Sequence, residues 1–347
     1  MPSVSLLRTQ NLPLLWFERL RVALHLPFWS AGVVIFTLPF VALDALTSYF
    51  VGAWQYYTAV EVSQYPAFMI FLLVCYYGAA YARKRIENLQ AYCVALGVET
   101  DSQLNLTSLT RMKGVSVFWA VQFFTLVPLF TFASTAKLSL VQLALVNVIP
   151  YIYAFLIIST FFWVYGYSMY AVYKMGKLPL ILKPFTEDKI LGLRPFGATS
   201  LRLTMIFFTL IVLFAVLALL QINVGLTSSA ALLFGLGFPL VTGLFGLTLF
   251  FLPLGSLRRK LIQKKREELG WLEPRRTKII EQLRNIKDGT FDMGLLNEYN
   301  SITEIEKGIH QVHNWPYDLG ILARLVAIIL SVTAIVLSRL IALALHF

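Results

Sequence analysis

The sequence predicts an all-α, polytopic helical membrane protein, and three observations predict it. Of the 347 residues, 58% are hydrophobic and only 14% charged, with a mean hydropathy of +0.72, which is far more apolar than a soluble domain needs to fill its core. Seven segments meet or approach the roughly 20 apolar residues that cross a bilayer. The 29 Lys and Arg residues are concentrated in alternate intervals between those segments, the pattern that orients membrane helices.

Taken in order, the first element is an amphipathic helix over residues 4–26, expected to lie on the inner membrane face. Arg8, Arg19 and Arg21 would meet headgroups while Trp16 and Phe17 face lipid. No small-residue cleavage site follows its first apolar run, so a removed signal peptide is not expected. The seven predicted spans are Phe28–Leu46, Tyr65–Ala82, Gly114–Ala133, Val148–Tyr173, Leu203–Gln221, Ala230–Leu254 and Ile321–Phe347. Pro128, Pro150 and Pro239 fall inside or near the start of spans, where neighbouring helices can satisfy the carbonyls they release. In the sixth, Ala231 with Gly235 and Gly243 with Gly246 provide small-residue faces for close helix packing.

Basic residues then set the orientation. The N-terminal tail has Arg8, Arg19 and Arg21; the interval after the second span has Arg83, Lys84, Arg85, Arg111 and Lys113. Residues 174–202 hold six more and residues 258–307 hold twelve, whereas the alternate intervals 47–64, 134–137 and 222–229 hold only Lys137. This places the N-terminus inside and the C-terminus outside. The net charge of +11 is then a topology signal, and no nucleic-acid partner is expected. Trp54, Tyr56, Tyr57 and Tyr65 fit an outer aromatic belt, and Tyr170 and Tyr173 with Lys174 fit an inner one.

The domain plan is an interfacial helix at 1–27, a six-helix region at 28–254 with connectors at 83–113 and 174–202, a cytoplasmic helical hairpin at 255–318, and a final span at 319–347. Within the hairpin, "LRRKLIQKKREEL" and "TKIIEQLRNI" are helical stretches interrupted at Gly270 and Pro274, and "KDGT" at Lys287–Thr290 is a turn. Leu295, Tyr299, Ile302, Ile305, Ile309 and Val312 recur at three- and four-residue steps as an apolar stripe. In "KPFTEDKILGLRPFG", Thr186 is a plausible cap for a short helix within an ordered connector.

The composition and motifs exclude several function classes. Two cysteines, Cys75 and Cys93, make neither a disulfide framework nor a metal spacing. GxxxxGK[ST], HExxH and GxSxG are absent, so no enzyme and no cofactor are expected. Glu306, His310 and His313 stand at i, i+4 and i+7, a weak zinc candidate.

The strongest functional signal is the final span, "LARLVAIILSVTAIVLSRLIALALHF", because charge inside a membrane helix is costly. At about 100° per residue, Arg324, Ser331 and Ser338 fall within about 40° of one another, with Arg339 and His346 beside them. Arg339 sits about 22 Å beyond Arg324 at roughly 1.5 Å per residue. Three readings apply to Arg339: snorkelling to outer headgroups, pairing with Asp44, the only acid within a span, or joining a ring of arginines that favours anions.

The resulting expectation is an oligomeric ion channel or pore, with anion permeation the expected selectivity, Arg324, Ser331, Ser338, Arg339 and His346 along the pathway and Asp44 as an ion-pair partner. The expected partners are the lipid bilayer, further copies of the chain, and a cytoplasmic ligand or protein at the hairpin. The topology alone resembles that of insect chemoreceptor channels in outline, which implies a last helix near the pore. A secondary transporter, or a non-transporting receptor or scaffold acting through the hairpin, are the alternatives. Few cysteines and a plain positive-inside pattern point to a prokaryotic plasma membrane.

Overall fold

The computed structural model describes residues 12–52, 59–97, 109–120, 140–222, 229–284 and 293–316, with five isolated positions in the last segment. Every regular element among the described residues is helical. They are α1 (Trp16–Ala23), α2 (Phe28–Val51, with a π-helical turn over Val33–Thr37), α3 (Ala59–Ala95), α4 (Leu140–Lys177), α5 (Arg194–Ile222), α6 (Ser229–Arg284) and α7 (Met293–His310). A short helical stretch at 112–120 lies between α3 and α4.

Five of these helices are long and apolar enough to cross a membrane: Phe28–Val51, Tyr65–Ala95, Ile149–Lys177, Arg194–Leu217 and Val241–Arg284. The chain is therefore a multi-pass, all-helical membrane protein. The other two expected spans, 114–133 and 321–347, fall mostly outside the described residues, as do the turn at Lys287–Thr290 and the side chains of Ala231 and Gly235.

The core is built by α3, α4, α5 and α6, with α3 packed on α4 and α5, and α6 packed on the same two helices. Across it, the Tyr165 and Phe207 rings stack with centroids 4.5 Å apart, and Phe161 stacks on Tyr165. Small residues permit these approaches. A Cβ at Gly78 would meet Ile206 and Phe161 at 2.9 Å, and one at Gly246 would meet Phe207 at 2.3 Å. The expected close-packing role of Gly246 is thus observed, whereas Gly243 has open space around it.

Local backbone features follow from particular residues. Pro39 has no N–H to give the carbonyl of Ile35, four residues earlier, and the helix widens there into its π turn. The Tyr153 hydroxyl donates to that Ile35 carbonyl from α4, which satisfies the released group inside the membrane. Gly52, at φ 73°, ends α2 in the left-handed conformation that a side chain would disfavour.

Two expectations change. The predicted interruption at Gly270 and Pro274 is absent, because α6 runs unbroken from Ser229 to Arg284. Both residues are exposed, so the Gly270 carbonyl that Pro274 leaves without a donor faces outward, while buried Leu272 and Ile279 hold the helix on its other side. At the N-terminus, Phe17 is fully buried between Phe36 and Tyr76, and the Trp16 indole N–H donates to Thr160 Oγ1 at 2.9 Å. These two side chains point into the bundle and not toward lipid. A Trp that finds a hydrogen-bond acceptor and a Phe that finds three aromatic neighbours gain more from packing than from the bilayer.

Candidate functional site

The functional features that can be built from described residues gather at one end of the bundle. Lys260 Nζ donates to the Leu178 carbonyl, the Tyr92 hydroxyl donates to the Gly192 carbonyl, and Gly176 abuts Ser256. These contacts bring Arg83–Arg85 of α3, Lys174 and Lys177 of α4, Arg194 and Arg202 of α5, and Arg258–Lys260 of α6 to the same end. The sequence reading grouped these cations by topology; the structure brings them together by contact.

From this end α6 continues outward as a stalk. Its 56 residues make about 84 Å of helix, against a hydrocarbon core of about 30 Å. The helix α7 packs along the stalk through a separate apolar cluster of Leu272, Ile279, Ile302 and Ile309, flanked by Phe185, Tyr299 and Ile305. Four residues of the predicted stripe, Tyr299, Ile302, Ile305 and Ile309, belong to this cluster; Leu295 does not, and Val312 is buried in the main core instead. Two ion pairs flank the seam. Arg275 Nη2 lies 2.8 Å from Glu298, and Arg276 Nη1 donates to both oxygens of Glu306 at 2.8 and 2.7 Å. On the stalk, the Trp271 indole N–H and the Lys264 ammonium hold the Glu268 carboxyl below its ordinary range.

The connector between α4 and α5 closes the base of the stalk. Residues 183–193 form successive turns in place of the expected short helix, and the side chain that caps them is Asp188, not Thr186. Asp188 Oδ1 accepts from the Ile190 N–H and Oδ2 from the Gly192 N–H, both at 3.0 Å. The turn needs left-handed backbone at Leu191 (φ 54°) and Gly192 (φ 81°). Chain beyond α7 is tied to the same base: the His313 N–H donates to the Lys189 carbonyl, and Lys265 Nζ donates to the carbonyls of His310 and Val312. Arg258 stacks over the Trp315 ring at 4.6 Å.

The predicted site residues fare differently. Glu306, His310 and His313 are not gathered into a metal site: Glu306 is engaged by Arg276 and lies 3.8 Å from His310, α7 ends at His310, and the exposed His313 gives its backbone N–H to the Lys189 carbonyl. Among the described residues no group of three His, Cys, Asp or Glu is arranged to hold a metal ion. Asp44 is buried in α2 above Ser48, and it accepts a hydrogen bond from the Tyr65 hydroxyl of α3. The sequence placed Tyr65 in an outer belt and gave no sign of this pairing. Arg324, Ser331, Ser338, Arg339 and His346 lie outside the described residues, so the proposed partner Arg339 cannot be set beside Asp44.

A third polar feature was not foreseen. Glu18 of α1 is buried, and Arg83 Nε of α3 lies 2.8 Å from its Oε2, close enough for an ion pair though not aligned as a hydrogen bond. The same carboxylate accepts the Leu15 N–H at 2.9 Å, while Arg83 Nη1 reaches the Leu12 carbonyl and Glu87. Arg83 was legible only as a topology charge; its partner lies 65 residues away along the chain.

The fold and this basic end define a multi-pass helical membrane protein with a projecting helical hairpin at its base. No protein-family model, no curated protein and no solved structure matches the chain.

Proposed function

We propose that this chain is a seven-span membrane protein, with its N-terminus and hairpin in the cytoplasm and its C-terminus outside, that passes a cytoplasmic binding event into the membrane through α6. The observation that carries this reading is the continuity of α6, one helix that both packs in the bundle core and supplies half of the hairpin. A rigid helix shared by two packed bodies moves them together, and packed elements with two arrangements are the physical means of coupling. In its most specific form the protein is an oligomeric ion channel or pore, anion-permeable, whose pathway runs along Arg324, Ser331, Ser338, Arg339 and His346. The mass of the purified protein, corrected for bound detergent, should correspond to three or more copies. Reconstituted Arg339→Glu protein should then show a reduced anion-to-cation permeability ratio; an unchanged ratio refutes the pathway.

One observation favours a second reading, a receptor or scaffold without transport. The hairpin has an apolar cluster separate from the main core and two flanking ion pairs, a construction that suits a binding module. A monomeric mass with no conductance supports that reading over the channel.

A further inference from the structure

At the basic end, α4 and α6 cross where Gly176 meets Ser256: a Cβ on Gly176 would stand 2.4 Å from Ser256 Oγ. Beside this crossing lie three cations. Lys177 Nζ sits 4.3 Å above the Tyr173 ring, Lys174 Nζ sits 5.7 Å above the Tyr170 ring, and Arg259 of α6 follows by three residues Ser256, whose hydroxyl donates to the Tyr173 carbonyl. All three cations are exposed, and none takes part in an ion pair among the described residues. A shallow groove continues from Arg259 past Ile262 and Gln263 to Arg266 and Glu267.

Toward the membrane interior, the same face of α6 changes character. At 100° per residue, Phe245, Leu252 and Arg259 lie within about 40° of one another. Phe245 and Leu252 are about half exposed, as residues facing acyl chains would be. The strip therefore presents apolar surface at span depth, two tyrosines at the boundary, and exposed cations immediately beyond. That sequence of chemistries matches one molecule standing upright in a leaflet.

We propose that the cleft of α4 and α6 at Lys174, Lys177 and Arg259 binds the headgroup of an anionic phospholipid, whose acyl chain lies along Leu252 and Phe245. The phosphodiester pairs with these cations, and the tyrosine hydroxyls supply further hydrogen bonds at headgroup depth. The inference rests on the reading of α4 and α6 as spans. It deepens the proposed function by placing a lipid at the root of the α6 stalk.

The test measures the relative association of spin-labelled phosphatidylglycerol and phosphatidylcholine with the full-length protein in phosphatidylcholine bilayers. Motionally restricted lipid of either kind reports that the chain spans, so failure of the span reading is seen separately. Wild-type protein should prefer phosphatidylglycerol, and each of Lys174→Gln, Lys177→Gln and Arg259→Gln should lower that preference about fivefold. Lys278→Gln, the same loss of charge some 28 Å farther along α6 at roughly 1.5 Å per residue, should leave it unchanged. No preference in the wild type, or an equal loss in the Lys278 variant, overturns the proposal. Inorganic phosphate competing as well as the lipid in detergent would assign the cleft to a free anion, and disulfide capture of two Leu252→Cys copies would assign the face to a second chain; either result also overturns it.

Discussion

Replacing Arg83 tests how α1 is held against the bundle. In the wild type the Glu18 side chain retains only 6% of its exposure, and its carboxylate is compensated by Arg83 and by the Leu15 N–H. Arg83→Met preserves the length and apolar stem of the side chain but leaves Glu18 ionised in a buried site, the situation that costs about 3 kcal/mol or more. Glu18→Gln should cost less, about 1 kcal/mol, because the amide oxygen can still accept the Leu15 N–H and Arg83 keeps Glu87 and the Leu12 carbonyl. The order of the two effects is the sharp part of the prediction, since a merely superficial ion pair would make both small and equal. Equilibrium unfolding of the detergent-solubilised variants, closed into a double-mutant cycle, measures it. A cost for Arg83→Met below about 1 kcal/mol, or a coupling energy under about 0.5 kcal/mol, would refute the reasoning.

Two further predictions concern the stalk. Ile302→Ala removes buried methyl groups from the seam of α6 and α7 and should destabilise the hairpin by about 2–4 kcal/mol, seen as faster amide exchange in α7 with α3–α5 unaffected. The Glu268 carboxyl titrates below its ordinary range, so the contact with Trp271 and Lys264 contributes its stability above the ordinary carboxylate pKa. That contribution is lost as pH falls through the depressed value; for this partly exposed group it amounts to roughly 0.5 kcal/mol. Trp271→Phe should flatten this acid-limb dependence in thermal unfolding, and an unchanged pH profile would show that the indole donor does not matter.

By itself the sequence determined the class of the protein and where several of its long apolar helices lie, though not where those helices end. Hydropathy is a sum over neighbouring residues measured against the thickness of a bilayer, so runs such as Leu203–Gln221 and Tyr65–Ala82 declare themselves without any knowledge of the fold. The stripe Tyr299, Ile302, Ile305 and Ile309 was legible for a similar reason, because helical spacing is a local property. Lys177 follows Tyr173 by four residues in the sequence, but Arg259 is brought near them only by the crossing at Gly176 and Ser256.

Only the tertiary structure decided which polar groups meet. Trp16 donates to Thr160 across 144 positions of chain, Arg83 pairs with Glu18, and the Tyr65 hydroxyl donates to Asp44. It also decided that Pro274 would not break α6, because the fate of a proline depends on whether its released carbonyl is exposed and whether the opposite face is packed. Membrane helices are specified one at a time by the solvent around them, whereas their polar contacts are chosen by whichever donor and acceptor the packing leaves without water.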